Sequence, residues 1–260
     1  MIHETSIIDS NSKIPSSVNI GPYCVIGSNV TIGENTIIHS HVNISGNTTI
    51  GKKNVIYPFA SIGNDPQDLK YSGEQTKLII GDENIIREHV TINPGTVLGG
   101  GKTIIGNKCL LMISSHIAHD CIIGNSVIIA NNVPIGGHAK IGDFVVIGGN
   151  SAVQQFTRIG KMAMIGGMTG VEKDVIPYAL SVGNRNYLTG LNLIGLRRKN
   201  ILNKEILSLS EAYKEIFKTK QLTDNLNKLN GLYKSNSLVN DIIQFINEDK
   251  KRPICTPLLK

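Results

Sequence analysis

The sequence predicts a mainly β protein, a parallel β-helix built from hexapeptide repeats, followed by a smaller α-helical domain. Three observations predict it. Aliphatic residues recur at every sixth position over most of the chain, and glycine or small side chains hold fixed places within each hexad. Beyond residue 186 the apolar spacing becomes that of an amphipathic helix. We therefore divide the chain into two domains, 1–186 and 187–260.

The hexad repeat accounts for the forty isoleucines of the chain. Isoleucine occupies every sixth position from Ile2 to Ile62, the repeat resumes at Ile80, and after a shift of one residue it runs from Ile105 to Val171. A period of six fits neither a helix nor a simple strand, whose periods are about 3.6 and 2. It fits a short strand followed by a turn, with two residues of each hexad pointing inward. Three hexads then make one triangular coil, and successive coils stack as parallel strands.

The repeat is interrupted twice, near 64–79 and near 98–104. Insertions in a solenoid project from one face and are frequent binding elements. The first interruption keeps the register of the hexads, so we expect a loop that replaces about one coil. The second contains Gly99, Gly100 and Gly101 without the Lys-Ser/Thr of a phosphate-binding loop, so we expect a flexible loop there.

The segment from 187 to 260 has the apolar spacing of helices and carries the whole charge excess. It holds 13 basic and 7 acidic residues, whereas 1–186 holds 13 of each, and the chain has a net charge of +6. Such a basic domain suggests an acidic partner or a nucleic acid. The aromatic content of 5% gives no stacking platform of the kind that single-stranded nucleic acids require. We therefore expect no nucleic acid as a partner.

Several protein classes are excluded by composition. No apolar stretch approaches the length of a membrane span, and the first residues lack the pattern of a secretory signal. The four cysteines lie far apart with no CxxC pair, which fits neither a disulfide framework nor a zinc ribbon. We expect a cytoplasmic protein with no membrane span.

Three of the seven histidines are expected to meet at one edge of the prism. A step of 18 residues moves one coil along the stack, so His119, Gly137 and Gln155 form a row, flanked by Asp120, His138 and Gln154, with His116 nearby. A neutral imidazole can take a proton from a hydroxyl near pH 7, and a glycine amide can donate to a developing oxyanion. This pairing favours acyl transfer. A zinc site would need a third ligand at fixed spacing, so we expect no metal and no cofactor.

Several motifs resemble the UDP-N-acetylglucosamine 3-O-acyltransferase family, which performs the first step of lipid A biosynthesis. They are the hexads, the QDLKY run at 67–71, the HIAHDC run at 116–121 and the GGH run at 136–138. The resemblance covers nearly the whole chain. It implies a left-handed parallel β-helix and a homotrimer whose active sites lie between subunits.

The resemblance also implies roles for individual residues. His119 matches the general base, Asp120 the carboxylate that orients it, and Gly137 the oxyanion-binding amide. A contact between neighbours such as His119 and Asp120 requires a corner, because strand neighbours point to opposite faces. Substrate-contacting positions are matched by Asp68, Lys70, His116, His138 and Gln155, uridine diphosphate contacts by Asn192 and Arg198, and the acyl-length gauge by Gly167. A glycine in that last place leaves the acyl groove open and implies a longer chain.

Three positions depart from the pattern of the family. Gln154 and Arg185 stand where histidines are expected, and Ile194 stands where an acidic residue is expected. None of these three departures changes the role expected of His119. Arg185 offers a phosphate contact in place of the histidine.

We therefore expect the protein to transfer a 3-hydroxyacyl chain from acyl carrier protein to the 3-hydroxyl of UDP-N-acetylglucosamine. The acidic carrier is expected to dock on the basic helical domain. The alternative is an N-acyltransferase acting on an amino-sugar nucleotide, although the later lipid A enzyme normally has an extra amino-terminal domain and the hexads here begin at Ile2. A remote alternative is a non-catalytic scaffold or a nucleic-acid binder.

Overall fold

The computed structural model describes residues 1–229, 231, 233–249 and 251–258. Nearly every hexad forms one short strand. In chain order the strands are β1 (Ile7–Ile8), β2 (Asn19–Ile20), β3 (Val25–Ile26), β4 (Thr31–Ile32), β5 (Ile37–Ile38), β6 (Asn43–Ile44), β7 (Asn47–Ile50), β8 (Val55–Ile56), β9 (Ser61–Ile62), β10 (Lys77–Ile80), β11 (Ile85–Ile86), β12 (Thr91–Ile92), β13 (Lys102–Ile105), β14 (Leu110–Leu111), β15 (His116–Ile117), β16 (Ile122–Ile123), β17 (Ile128–Ile129), β18 (Pro134–Ile135), β19 (Lys140–Ile141), β20 (Val146–Ile147), β21 (Ala152–Val153), β22 (Arg158–Ile159), β23 (Met164–Ile165), β24 (Gly170–Val171), β25 (Ala179–Val182) and β26 (Tyr187–Leu191).

The strands form three sheets that are the faces of a left-handed parallel β-helix. The nine-stranded sheet has the order β1-β3-β6-β9-β12-β15-β18-β21-β24, the seven-stranded sheet β22-β19-β16-β13-β10-β7-β4, and the ten-stranded sheet β2-β5-β8-β11-β14-β17-β20-β23-β25-β26. Pairs in regular coils lie 18 residues apart, as in Ile128 with Val146. Among the strand pairs of the described chain, only the last, β25 with β26, is antiparallel, and it closes the ten-stranded sheet.

The core is a column of the repeated aliphatic side chains. From Ile20 to Val171 each of them is at most 3% exposed, and the second inward position is equally buried, as in Val18 and Cys24. Both inward positions were predicted. At the amino-terminal end the column opens, and Ile2 is 48% exposed because no further coil covers it.

A corner follows each strand, and one of its residues usually has a left-handed backbone, for instance Asp120 with φ +60 and His138 with φ +62. The corners fall on three edges. We call the edge at which the chain passes from the nine-stranded to the seven-stranded sheet the insertion edge; it contains Asp120, His138, Phe156 and both interrupting loops. The two interruptions and the predicted histidine row therefore lie on the same edge.

The loops at the insertion edge add residues to a coil and do not replace one. Ile80 pairs with Ile50, thirty residues earlier, so the loop between β9 and β10 adds twelve residues to the usual eighteen. Ile105 pairs with Ile80, twenty-five residues earlier, so the loop between β12 and β13 adds seven. The expectation of a replaced coil was wrong, because an addition of two hexads keeps the six-residue register equally well. The loops occupy 63–76 and 93–101, and the four-residue strands that follow them begin earlier than the hexads alone suggest.

Within the described residues, four α-helices follow the β-helix: α1 (Leu193–Arg198), α2 (Asn203–Ile216), α3 (Leu222–Asn227) and α4 (Ser237–Glu248). Short 3-10 turns lie at Val97–Gly99 and Tyr233–Ser235. The two longest helices bury one face each, formed by Ile206, Leu209, Ala212 and Ile216 in α2 and by Leu238, Val239, Ile242 and Ile246 in α4. Leu202, which also fits the helical spacing, precedes α2 and is 56% exposed.

The helical region is fastened to the last coils of the β-helix at two places. The carboxyl-terminal segment returns to the solenoid, where Ile254 pairs with Asp174 and Pro257 with Leu188. Tyr178 donates a hydrogen bond to Asp241 of α4. The chain beyond residue 186 first adds β26 to the ten-stranded sheet, and the first helix begins at Leu193.

The four cysteines are buried and free. In the described part of the chain, no helix combines the length and the apolar character needed to cross a membrane.

Candidate active site

The insertion edge brings His119, Asp120, Gly137 and His138 into contact. His119 and Asp120 form the corner after β15, and Gly137 and His138 form the equivalent corner one coil further, after β18. The His138 amide donates to the His119 carbonyl at 3.0 Å, which ties the two corners together. Because the left-handed backbone of Asp120 turns its side chain back, it meets that of its neighbour His119.

The His119 ring is held by a buried carboxylate. His119 Nδ1 lies 2.8 Å from Asp120 Oδ2, and the Asp120 side chain is completely buried. An ionised carboxylate only accepts, so Nδ1 donates and the lone pair of the neutral ring is on Nε2. Nε2 has no hydrogen-bond partner within the described residues. This arrangement leaves a proton acceptor facing the surface.

The second loop of the insertion edge closes over the carboxylate. Thr96 donates its amide to Asp120 Oδ1 at 2.9 Å and its hydroxyl to Oδ2 at 2.7 Å. Gly99 lies so close to the carboxyl group that a Cβ there would overlap it. The glycine run expected to be a flexible loop thus begins in a 3-10 turn, Val97–Gly99, whose last residue packs on Asp120, and the Gly101 amide donates to the Thr96 carbonyl. Sequence reasoning missed Thr96 and Gly99, although a break in the hexads on this edge was the signal.

Gly137 provides space and a free donor beside the ring. A Cβ on Gly137 would lie 2.7 Å from His119 Cε1 and 2.8 Å from Nε2, so a side chain would displace the imidazole. The Gly137 carbonyl accepts from the Phe156 amide at 2.8 Å, whereas the Gly137 amide donates to no group in the described chain. A backbone N–H next to a proton acceptor is the pair of groups that acyl transfer uses.

Two further histidines flank His119, and both are expected to be neutral at pH 7. Burial lowers the pKa of His116, and the charge of His119 lowers it further; its Nδ1 is 2.7 Å from Thr91 Oγ1. Burial also lowers the pKa of His138, against the opposing charge of Asp120. The His138 ring stacks on Phe156 at 4.2 Å and meets the His119 ring edge-on at 5.0 Å. Both rings therefore act as hydrogen-bonding groups and not as cations.

The first loop carries two further predicted residues of this edge. Asp68 is half-buried, and its Oδ1 accepts from the Lys70 amide at 3.0 Å. Its charge reaches His138, whose pKa it raises against the dominant effect of burial. Lys70 is exposed. Gln155 is exposed one coil beyond Gly137, in the predicted row.

Three predicted residues lie away from the insertion edge. Gly167 is exposed at the corner between the ten-stranded and nine-stranded sheets, where a Cβ would lie 3.3 Å from the Gly149 carbonyl oxygen. Asn192 caps α1 by accepting from the Gly195 amide at 3.0 Å, and its Nδ2 donates to the Met162 carbonyl at 2.9 Å. Arg198 is exposed in the last turn of α1.

The three unusual residues have different surroundings. Gln154 Oε1 accepts from Arg252 of the carboxyl-terminal segment at 3.1 Å. Arg185 lies in the turn between β25 and β26, where its amide donates to Asn184 Oδ1 at 3.0 Å. Ile194 is 64% exposed on α1.

A metal ion would find donor atoms here, but hydrogen bonds already occupy the carboxylate among them. One donor atom each of His119, Asp120 and His138 lies within 4.8 Å of the others. The Asp120 oxygens accept three hydrogen bonds, from Thr96 twice and from His119, and His138 Nδ1 is 3.9 Å from Oδ2. This geometry favours an imidazole oriented by a carboxylate over a zinc site. The absence of a metal stays a prediction.

Two family profiles match the chain. The bacterial transferase hexapeptide (six repeats) matches residues 1–33 and 102–137. UDP N-acetylglucosamine O-acyltransferase, domain 2, matches residues 174–255.

Relatives match over most of their length. An acyl-[acyl-carrier-protein]–UDP-N-acetylglucosamine O-acyltransferase of Rickettsia canadensis is 49% identical over 255 residues, which are 98% of this chain and 97% of the relative. The protein of that name from Methylobacterium radiotolerans is 54% identical over 203 residues, 78% of this chain and 75% of the relative. The crystal structure of the UDP-N-acetylglucosamine O-acyltransferase of Moraxella catarrhalis is 48% identical, with a TM-score of 0.94 over 97% of this chain and 98% of that one.

The similarity thus extends over the β-helix and the helical region, in sequence and in structure. The solved acyltransferase of Francisella novicida, at 37% identity, has a TM-score of 0.95 over 99% of this chain and 95% of its own. The fold class predicted from the hexads is confirmed. The resemblance carried by the HIAHDC and QDLKY motifs is confirmed as well: the chain belongs to the UDP-N-acetylglucosamine O-acyltransferase family.

Proposed function

We propose that the protein transfers an acyl chain from the thioester of acyl carrier protein to the 3-hydroxyl of UDP-N-acetylglucosamine. The observation that carries this proposal is the free Nε2 of His119 beside the free amide of Gly137, with Nδ1 held by Asp120. The family relatives are named for this reaction with acyl carrier protein and UDP-N-acetylglucosamine. The product would be the first intermediate of lipid A biosynthesis.

The reaction follows from the two free groups. His119 Nε2 takes the proton of the sugar 3-hydroxyl while the oxygen attacks the thioester carbonyl carbon. The carbonyl becomes an oxyanion, which the Gly137 amide stabilises. When the C–S bond breaks, the thiolate leaves and takes the proton back from the imidazolium. One ester bond forms, one thioester bond breaks, and His119 returns to its neutral state.

Asp120 and the groups around it keep His119 ready for this cycle. Its carboxylate holds the proton on Nδ1 and stabilises the imidazolium that forms during attack. We assign His116, His138, Asp68, Lys70 and Gln155 to contacts with the substrates, since four of them lie on the insertion edge and His116 lies in the strand that leads into it. Gly167 is assigned to the acyl chain: its open surface admits a longer 3-hydroxyacyl group.

The nucleotide contacts support a homotrimer. Asn192 is anchored to Met162, at the corner between the seven-stranded and ten-stranded sheets, and Arg198 lies on the same short helix. His119 lies on a different edge. If Asn192 and Arg198 contact the uridine diphosphate whose sugar reaches His119, the two sets must come from different subunits. A trimer with sites between subunits meets this requirement.

The helical region offers a surface for the acidic carrier protein. Arg197, Arg198 and Lys199 are exposed at the end of α1, and the Lys199 ammonium lies 3.6 Å above the Phe144 ring, which fixes the cluster against the β-helix. A positive surface of this kind raises the rate of encounter with an acidic protein. Such a partner and the free cysteines fit a cytoplasmic enzyme.

The proposal is tested by His119→Ala, assayed with acyl carrier protein thioester and UDP-N-acetylglucosamine. We expect a loss of about 3 kcal/mol or more of transition-state stabilisation, which is about a hundredfold or more in kcat/KM. His41→Ala, on another edge, is the matched control and should keep activity within about twofold. Normal turnover by folded His119→Ala would contradict the proposal. Mild base hydrolyses an ester and leaves an amide intact. Treatment of the reaction product with mild base therefore distinguishes O-acyl from N-acyl transfer.

A further inference from the structure

The two loops of the insertion edge are joined near their bases by one side chain. Asn93 is the first residue of the second loop, and its Nδ2 donates to the Asn64 carbonyl oxygen at 3.0 Å and to the Asp65 carbonyl oxygen at 3.2 Å. Both acceptors lie at the start of the first loop. The loop that carries Asp68 and Lys70 is therefore attached to the next coil through Asn93.

The surroundings of Asn93 determine how its side chain is oriented. Asn93 is 6% exposed, and its own amide donates to the Ile117 carbonyl at 3.0 Å, which holds the backbone in place. A carbonyl oxygen only accepts, so the NH2 group faces Asn64 and Asp65, and Oδ1 points away from them. Among the described residues this buried Oδ1 has no hydrogen-bond partner. The side chain thus leaves one acceptor unpaired, at a cost in stability, while its other half attaches the first loop.

The first loop meets Asn93 with a residue that is itself well anchored. Asn64 Nδ2 donates to Asn43 Oδ1 at 3.0 Å and to Ser61 Oγ at 2.7 Å. Asn64 Oδ1 accepts from the Ser45 hydroxyl at 2.9 Å. These bonds hold the side chain of Asn64, whereas Asn93 holds the main chain from which the loop departs.

The same segment of the second loop also holds the carboxylate beside the base. Thr96 donates its amide and its hydroxyl to the two oxygens of Asp120 at 2.9 and 2.7 Å. The Gly95 amide donates to the Lys77 carbonyl at 3.2 Å, where the first loop returns to β10. Residues 93–96 thus contact both ends of the first loop and the carboxylate of the site.

A fixed spacing between the first loop and His119 matters for binding. A substrate that contacts the loop while its reacting group meets the imidazole requires both to be held at one distance. The tip of the loop is exposed at Leu69 and Lys70. The position of the tip therefore depends on how the base of the loop is attached.

We propose that Asn93 is a positioning residue, which sets the place of Asp68 and Lys70 relative to His119 and thereby the affinity for the substrate that they contact. This inference rests on the proposed function. In the described chain the Asn93 side chain donates only to the two carbonyls of the first loop, so it acts through that loop. It contributes to substrate binding and not to the chemical step.

The test compares Asn93→Ala with Lys70→Ala in steady-state kinetics, with each substrate varied in turn. We expect Asn93→Ala to raise about tenfold the same KM that Lys70→Ala raises, because the loss of two hydrogen bonds loosens the loop. Its kcat should stay within about twofold of wild type, since His119 keeps its carboxylate. The two effects should not multiply in Asn93→Ala/Lys70→Ala, because a displaced Lys70 contributes less to binding.

Asn54→Ala is the matched control. Asn54 is also buried, and its Nδ2 also donates to two carbonyls, those of Lys52 at 3.3 Å and Gly81 at 2.9 Å. It lies on the edge between the seven-stranded and ten-stranded sheets, away from both loops. This variant should lose stability and keep both KM values within about twofold. The comparison separates positioning from a general loss of stability.

Three results would overturn the inference. They are unchanged KM values in folded Asn93→Ala, a fall of kcat without a change of KM, and full multiplication of the two effects in the double variant. If circular dichroism shows that Asn93→Ala does not fold, Asn64→Ala replaces it under the same criteria, since it loosens the same junction from the side of the first loop.

Limited digestion with trypsin tests the attachment of the loop without any assay of activity. Cleavage after Lys70 should be about tenfold faster in Asn93→Ala than in wild type and unchanged in Asn54→Ala. Equal rates in wild type and Asn93→Ala would refute the attachment. If wild type transfers no acyl group although Asn93→Ala is cleaved faster, the proposed function fails while the attachment of the loop by Asn93 stands.

Discussion

Two edges of the prism carry histidines at left-handed corners beside stacked aromatic rings. On the edge between the ten-stranded and nine-stranded sheets, Tyr23, His41, Phe59 and His89 form a ladder with centroids 5.0 to 5.1 Å apart. On the insertion edge His138 stacks on Phe156 at 4.2 Å. The corner backbones are alike, with φ +58 at His41 and +62 at His138. The geometry of the repeat alone therefore does not make a catalytic site.

The difference between the edges is a buried carboxylate with a loop above it. The insertion edge has Asp120, whose oxygens receive two hydrogen bonds from Thr96 and one from His119. No hydrogen bond or ion pair to the side chains of His41 and His89 occurs in the described residues, apart from their ring contacts. On the insertion edge the second loop thus buries an acceptor for the Nδ1 proton of His119, which the proposed role of His119 as a base requires.

The largest effect is expected where that acceptor is removed. In Asp120→Asn the carboxamide cannot hold the Nδ1 proton as an ion does, so His119 shifts toward the tautomer whose lone pair lies on Nδ1. We expect kcat to fall by about 10²- to 10⁴-fold with the fold retained. The readout is steady-state kinetics beside circular dichroism. A loss of kcat below about threefold would mean that His119 does not depend on the buried carboxylate, which is the feature that distinguishes the insertion edge from the aromatic ladder.

A smaller effect is expected when the loop above the carboxylate is weakened. Thr96→Val removes the 2.7 Å hydroxyl bond to Asp120 Oδ2 and keeps the amide bond. We expect kcat to fall by about tenfold with the KM for UDP-N-acetylglucosamine unchanged, since Thr96 acts through Asp120. Thr96→Ser restores the donor and should recover most of the loss. If serine fails as valine does, restoring the hydroxyl is not sufficient, which would contradict the role assigned to its hydrogen bond with Asp120.

The smallest effect concerns stability against pH. Burial lowers the folded-state pKa of His116 below its ordinary value near 6.5, so the unfolded chain binds the proton first as the pH falls. This contribution to the free energy of unfolding is therefore present above about pH 6.5 and is lost as the pH falls toward the folded-state pKa. His116→Gln should flatten the slope of urea-unfolding free energy between about pH 7 and 5. The slope above about pH 7.5, where both forms are neutral, should be the same in the two proteins; an unchanged acid slope would contradict the role of His116.

The hexads predicted the structural features that depend on contacts between neighbouring coils. The inward isoleucines, the parallel pairing and the meeting of His119 with Gly137 all follow from a period that each coil imposes on the next. The addition of 18 to a residue number therefore locates a contact in three dimensions. The contact of His119 with Asp120 required one more condition, a corner, and the left-handed backbone at Asp120 supplies it.

The loops and the tail could not be predicted in this way, because their contacts follow no period. Thr96 lies in an irregular segment, and only the folded loop brings its hydroxyl to Asp120. The six-residue register is the same after twelve added residues as after a lost coil, so the length of the first insertion was ambiguous. Arg252 reaches Gln154, 98 positions earlier in the chain, through the return of the carboxyl-terminal segment.

The two insertions at one edge show how such a fold tolerates change. Twelve and seven residues enter successive coils, yet β7, β10 and β13 remain paired in full register through all four residues of each strand. Each coil contacts only the coils above and below it. The free-energy cost of closing a longer loop rises only slowly with its length. In the β-helix the paired strands thus provide stability and the corner loops provide the binding groups. A longer loop at one corner can therefore change binding specificity while the strands of the other coils remain unchanged.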